Sequence, residues 1–180
     1  MHNEEHRRHC IAAFQEYECG DLPYIHSVRV SDLARTGYVD QKPWERVVYF
    51  LRLDSSRSVE PSVSAIPNRN DKKNILYIGG HSKPSGGSRY NVLINSCRKA
   101  QETFEALGYA KNDMAHPHPV AGCLTTSLLE TGFRIEDCLL DIVSASPKYD
   151  ELEFIIGYQE KYHQLPPWNS NRKGNHAFGG

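Results

Sequence analysis

Apolar side chains follow two rhythms along this chain. Short unbroken runs, rich in β-branched and aromatic residues, mark strands. Arg46-Val47-Val48-Tyr49-Phe50-Leu51-Arg52-Leu53, bounded by Pro43 and Asp54-Ser55-Ser56, is one, and Asn74-Ile75-Leu76-Tyr77-Ile78-Gly79 is a second, expected antiparallel to the first. Cys138 to Val143 makes a third, while Ser27-Val28-Arg29-Val30 is strand-like within an ambiguous stretch from Tyr24 to Lys42. Three-and-four spacing marks helices. Tyr90, Leu93, Ile94, Cys97, Phe104 and Leu107 give a long one from Ser88 to Gly108, and Asn3 to Glu18 and Leu124 to Thr131 give shorter ones. Ser146-Pro147 supplies an N-cap and first-turn pair for a last helix with Leu152, Ile155, Ile156 and Tyr162 inward, ended by Pro166-Pro167. The elements predict an α+β fold: a small antiparallel sheet of about three strands flanked by helices.

Between these elements lie two polar stretches with different chemistry. Asp54 to Lys73 is rich in Ser, Pro and Asn and reads as an exposed loop, and Gly80 to Gly87 is a Gly/Ser/Pro loop leading into a helix. The chain divides into residues 1–45, an N-terminal helical extension; 46–170, a core; and 171–180, a polar, glycine-rich tail.

Composition narrows the classes. With 180 residues the chain can bury one core, and its balance of charged and apolar residues is that of a globular protein. No segment approaches the roughly 20 apolar residues of a membrane span. The five cysteines are scattered without a CxxC, and the N-terminus is charged, so a reduced intracellular setting is expected. His116, His118 and Cys123 match no standard zinc spacing, and His2, His6, His9 and Cys10 read as a polar helix face. The net charge of −1 gives no general electrostatic case for a polyanionic partner. Positive charge is instead concentrated between Arg57 and Lys99, while acids crowd Glu130 to Glu160.

Against that background a few residues carry candidate chemistry. Two strands each hold a tyrosine, Tyr49 and Tyr77; Arg89 stands where the Gly-rich loop meets a helix; Glu153 lies in the first turns of the last helix. Singly, each has an ordinary explanation: strand tyrosines pack, and helix-start arginines and glutamates are solvated. In this order they resemble the GIY-YIG nuclease superfamily, over about Arg46 to Asn169. The sharpest matches are Ile75-Leu76-Tyr77-Ile78-Gly79 and Leu152-Glu153-Phe154-Ile155-Ile156 followed by Pro167-Trp168-Asn169. Val47 stands where the family has glycine, the loop between the tyrosine strands is longer, and the run from Glu153 to Asn169 is about one turn longer. Glu151 and Glu160 are therefore rivals for the family glutamate.

The resemblance implies a metal-dependent DNA endonuclease. Phosphodiester hydrolysis requires an activated water, charge relief on phosphoryl oxygens and help for the departing alkoxide. Tyr49 is implied as general base or water-orienting group and Tyr77 as support for nucleophile or phosphate. Arg89 is implied as the partner of the non-bridging oxygens, and Glu153 as the ligand of one divalent cation, Mg²⁺ with Mn²⁺ as substitute. His81 and Asn169 are possible catalytic support. Because the chain is small, with long additions around a minimal core, it is most like the type II restriction members. The implied partner is double-stranded DNA, cut by a homodimer, with recognition candidates in the first 45 positions and in Asn68 to Lys73. Mobile-element, repair or toxin nucleases, and an inert DNA-binding module on the same scaffold, are the alternatives.

Overall fold

The computed structural model describes residues 4–36, 47–56, 61, 66–81, 89–107, 120–144 and 149–169, without the side chains of 24, 25, 34–36 and 81. In chain order the elements are α1 (Glu4–Cys19), β1 (Tyr24–Arg29), α2 (Val30–Thr36), β2 (Val47–Leu53), β3 (Ile75–His81), α3 (Arg89–Leu107), α4 (Val120–Thr131), β4 (Cys138–Ser144) and α5 (Glu151–Tyr162). A short 3-10 turn, Ile135–Asp137, leads into β4. Among the described residues no helix is long and apolar enough to cross a membrane.

Four strands form one antiparallel sheet in the order β1-β4-β2-β3, one strand more than the three expected. The extra strand is the ambiguous Tyr24–Arg29 segment. Its local pattern is too polar and short to declare itself, and it becomes a strand by pairing with β4, as in Val28↔Leu140. The N-terminal residues are thus part of the same sheet. Through α1, which lies against α5, they also cover one of its faces.

Period-2 alternation gives the sheet two buried faces. Val47, Tyr49 and Leu51 of β2 join Leu140 and Ile142 of β4 beneath α3 and α4, where Tyr90, Leu93, Ile94, Cys97 and Leu124 close the layer. Val48 and Phe50 point the other way, into a layer filled by Phe14 and Tyr17 of α1 and Phe154 and Tyr158 of α5. A register shift between Leu51 and Arg52, where the pairing passes over Leu76, lets neighbouring Leu76 and Tyr77 serve the same layer, while Ile75 and Ile78 face the other.

Helix α5 begins later than its sequence suggests. Asp150, not Ser146, is the N-cap: its carboxylate accepts from the Leu152 N–H at 2.8 Å, and Glu153 accepts from the Asp150 N–H at 2.8 Å, completing a capping box. Both Ser-Pro and Asp-x-x-Glu are start signals, and the second prevails because it satisfies two end groups reciprocally. With this start, Leu152 is half exposed rather than inward. Phe154, Ile155, Gly157, Tyr158 and Tyr162 form the buried face.

Candidate active site

Strand β3 is an edge strand, and its outer edge is where the candidate groups gather. Tyr49 pairs with Gly79 across the ladder, and its ring lies over that glycine. A Cβ at position 79 would stand 2.5 Å from the Tyr49 hydroxyl, so only glycine lets the ring cross β3. Tyr77, two residues earlier on the same face, has its ring centroid 6.2 Å from that of Tyr49. The two phenols share a hydrogen bond in which Tyr49 donates to the Tyr77 oxygen. Tyr49 is buried; Tyr77 is half-buried and is the one solvent reaches.

Helix α3 completes the opposite wall. Its first residue, Arg89, is exposed and its charge acts on both phenols. The next residue, Tyr90, is buried and meets the Tyr49 ring edge-on at 6.1 Å. Tyr90 reads as helix core in the sequence, yet it fixes the orientation of the first site tyrosine. Arg98, two turns further on, is committed elsewhere: it pairs with Glu136 at 3.4 Å and donates to the Val30 carbonyl at 3.0 Å.

The carboxylate of the site is that of Glu151. Its Oε2 accepts from the Gly80 N–H at 3.0 Å, and a Cβ on Gly80 would lie 2.7 Å from the Glu151 Cβ, so the start of α5 rests directly on the strand. Its negative charge raises the pKa of both phenols. Glu153, the expected ligand, is held away from the tyrosines. Its carboxylate closes the capping box with Asp150, and its charge acts on Cys10 of α1. Burial, and then the neighbouring Asp150, raise its pKa. The displacement has a simple origin. Once Asp150 is the N-cap, Glu153 is the third helical residue and turns back to the cap, whereas Glu151 is the first and projects past the helix end. The Asp150-x-x-Glu153 pattern was the signal in the sequence that separates them. Glu160 lies two turns along and pairs with Arg7.

Asn169 is brought to the same edge in a supporting role. Its side-chain amide accepts from the Ile78 N–H and donates to the Ile78 carbonyl, both at 2.8 Å, while the Trp168 N–H donates to the Leu76 carbonyl at 2.8 Å. Together with Glu151 on Gly80, these bonds occupy four outward backbone groups of the edge: the Leu76 carbonyl, the Ile78 N–H and carbonyl, and the Gly80 N–H. Each contributes about 1 kcal/mol, and jointly they fix the strand that carries Tyr77. The side chain of His81, the glycines Gly86 and Gly87, and His116 and His118 lie outside the described residues.

Electrostatically the site is a buried phenol pair between one cation and one anion. Burial is the main cause that raises both tyrosines above their ordinary pKa of 10.0, with Glu151 adding to it and Arg89 opposing it. The donors around the phenols are oxygen-based with a single carboxylate. No group of three or more His, Cys, Asp or Glu side chains suited to a metal occurs among the described residues. Such a set suits a hard cation that keeps most of its shell as water and phosphate oxygens, and does not suit zinc. No family model, curated protein or solved structure matches the chain.

Proposed function

We propose that the protein is a metal-dependent endonuclease that hydrolyses DNA phosphodiester bonds, with Tyr49, Tyr77, Arg89 and Glu151 as its reacting set. The observation that supports this most is the meeting of these four side chains, from four different elements, at one edge of the sheet. They arrive in the chain order of the GIY-YIG pattern read in the sequence, with Glu151 in the place expected for Glu153 and the parts of the two tyrosines exchanged. Glu151, with Mg²⁺ bound, would supply Lewis-acid relief of charge on the phosphate. Arg89, exposed and carrying no ion pair among the described residues, offers its fork of donors to the non-bridging oxygens.

The tyrosines divide the remaining work by burial. Tyr77 is the phenol that solvent reaches, and it accepts a hydrogen bond, which favours its ionised form; it orients or deprotonates the attacking water. Tyr49, its proton engaged with Tyr77, holds that oxygen in place. Glu151 opposes ionisation of both phenols while its charge is unscreened, so a cation held by Glu151 would remove that opposition and leave Arg89 to offset part of the effect of burial. One chain holds one such set and attacks one strand, so a homodimer on a two-fold DNA site is the arrangement that cuts both.

Incubation with plasmid DNA and Mg²⁺ tests the reading, with EDTA abolishing the activity. Discrete fragments mean sequence-specific cleavage of the restriction type, and a smear means a non-specific nuclease. Intact plasmid at all enzyme concentrations overturns the proposal in favour of an inert module. A cleavage rate that rises with the square of enzyme concentration at low occupancy supports the dimer, and a linear rise removes it.

A further inference from the structure

Seven of the described lysines and arginines stand in ion pairs with carboxylates. The five that do not are Arg69, Lys72, Lys73, Arg89 and Lys99. Arg89 belongs to the site and Lys99 is solitary on α3. The other three fall within one turn, immediately before β3. In a protein with net charge −1, an unneutralised cluster of this density is an exception to how the rest of its positive charge is handled.

The turn that carries them is built to hold its shape. Asp71, buried, accepts from the Lys73 N–H at 2.9 Å and from the Ile75 N–H at 2.7 Å, and its own N–H donates to the Asn68 carbonyl at 2.8 Å. The Asn68 carboxamide accepts from the Asn70 N–H at 2.9 Å and donates to the Tyr162 carbonyl at 3.3 Å, tying the turn to the end of α5. Asn74 takes the left-handed conformation, φ 54°, that swings the chain into β3. Lys73 is the least exposed of the three, with its Nζ 5.4 Å from the centre of the Tyr17 ring. Arg69 and Lys72 project into solvent. The N–H groups of Asn70, Asp71, Lys73, Asn74 and Ile75 are all bonded within the turn, so its backbone is already ordered before the exposed cations meet a ligand.

We propose that the Asn68–Asn74 turn is a phosphate-backbone clamp, and that Arg69 and Lys72 grip the duplex on the far side of a groove from the cleaved bond. The identity of the partner rests on the nuclease reading; the placement rests on the strand. From Asn74 to Gly79 the chain advances five residues of β3, about 17 Å at roughly 3.3 Å per residue. That matches the span between phosphates bordering the major groove, roughly 12 Å wide before the phosphate groups are added.

The test compares Arg69→Ala/Lys72→Ala with wild type in binding a short duplex of arbitrary sequence, in EDTA, between about 50 and 200 mM salt. Backbone contacts are independent of sequence, so no recognition site is needed. Loss of two phosphate contacts makes the log–log salt slope shallower by about 2 and weakens binding roughly 50-fold near 0.1 M salt. An equally charge-depleted control, Arg8→Ala/Lys99→Ala, keeps the wild-type slope, and all three proteins melt together. A double variant that retains the wild-type slope, or a control that loses as much, overturns the clamp while leaving the nuclease reading intact. Wild type that cleaves plasmid with an unchanged rate in Arg69→Glu/Lys72→Glu at sub-saturating enzyme also overturns it. Wild type that neither binds duplex nor cuts plasmid overturns both.

Discussion

Two clusters in this protein contain the same kinds of side chain and have opposite characters. On the α1/α5 face, Asp141 is wholly buried and meets Tyr17 at 2.8 Å, Ser27 at 2.7 Å, and Arg52 at 2.6 and 3.0 Å through two nitrogens. Tyr17 in turn stacks on Phe50 with ring centres 3.6 Å apart. At the β3 edge, Glu151, Arg89, Tyr49 and Tyr77 repeat the carboxylate, guanidinium and phenol, but the cation and anion stand apart and the arginine is exposed. The first cluster is closed: every oxygen of the carboxylate has a donor, and a new ligand would have to displace one. The second is open towards solvent on the side where Arg89 and Tyr77 lie. Closure, rather than residue type, separates a structural network from a site that can receive a substrate.

The comparison breaks most sharply under two isosteric changes. Glu151→Gln is expected to lower the cleavage rate by about a thousand-fold or more, a size usual for removing a group used in the transition state. Its melting temperature should stay near that of wild type, because the amide oxygen still accepts from Gly80. Asp141→Asn is expected to do the reverse. It strands the largely buried Arg52 without its counter-charge, at a cost of about 3 kcal/mol, with the rate per folded molecule unchanged. Thermal melts and single-turnover cleavage on the same preparations check both. If Glu151→Gln cleaves normally, the open cluster is not the site.

Next in size is Gly79→Ala. The added methyl would overlap the Tyr49 ring, and the ring has no room to retreat because Tyr90 stands against it. Overpacking of this kind costs about 1–3 kcal/mol, and the displaced phenol should lower cleavage roughly a hundred-fold, as misplacement of a catalytic group does. Gly132→Ala, at a glycine of positive φ that nothing crowds, should lose about 1 kcal/mol and no activity. Equal rates in the two alanine variants would mean that the position of Tyr49 is irrelevant to chemistry.

How much of this was legible beforehand follows the range of the interactions. The strands carrying Tyr49 and Tyr77 declare themselves through local β-branched and aromatic runs, and α3 through its apolar stripe. Arg89 was legible because a glycine-rich loop ending at a helix start is a local pattern. Strand β1 showed only as a strand-like pattern at Ser27 to Val30, since its pairing depends on β4, more than a hundred residues away. The Asp141 network was invisible for the same reason: Tyr17, Ser27, Arg52 and Asp141 come from four elements and share no sequence pattern. Asn169 was legible as a position but not as a clamp, because its partners are backbone groups of an edge strand. The choice between Glu151 and Glu153 lay between these extremes. It hinged on which residue caps α5, and a shift of cap by a few positions rotates every carboxylate on the first turn.

The smallest effect is expected from Glu153→Gln, and it sharpens the contrast between two glutamates on one turn of helix. Glutamine can replace glutamate in a capping box, so its side-chain oxygen still accepts from the Asp150 N–H and stability at neutral pH should change by less than about 0.5 kcal/mol. What the substitution removes is a titration. Burial and Asp150 raise the Glu153 carboxyl above its ordinary value of 4.5. The folded state therefore binds this proton more tightly than the unfolded state does. The resulting contribution is fully present below pH 4.5 and is lost as pH rises through the higher folded value. Glutamine is neutral at every pH, so the variant should lack that decline. Relative to wild type it gains stability on going from pH 4 to pH 7, by an amount small beside the loss in Asp141→Asn. Denaturant melts at the two pH values read the difference, and plasmid cleavage by Glu153→Gln should equal that of wild type. An inactive Glu153→Gln beside an active Glu151→Gln would exchange the roles of the two residues, and would require α5 to begin elsewhere than at Asp150 in the working enzyme.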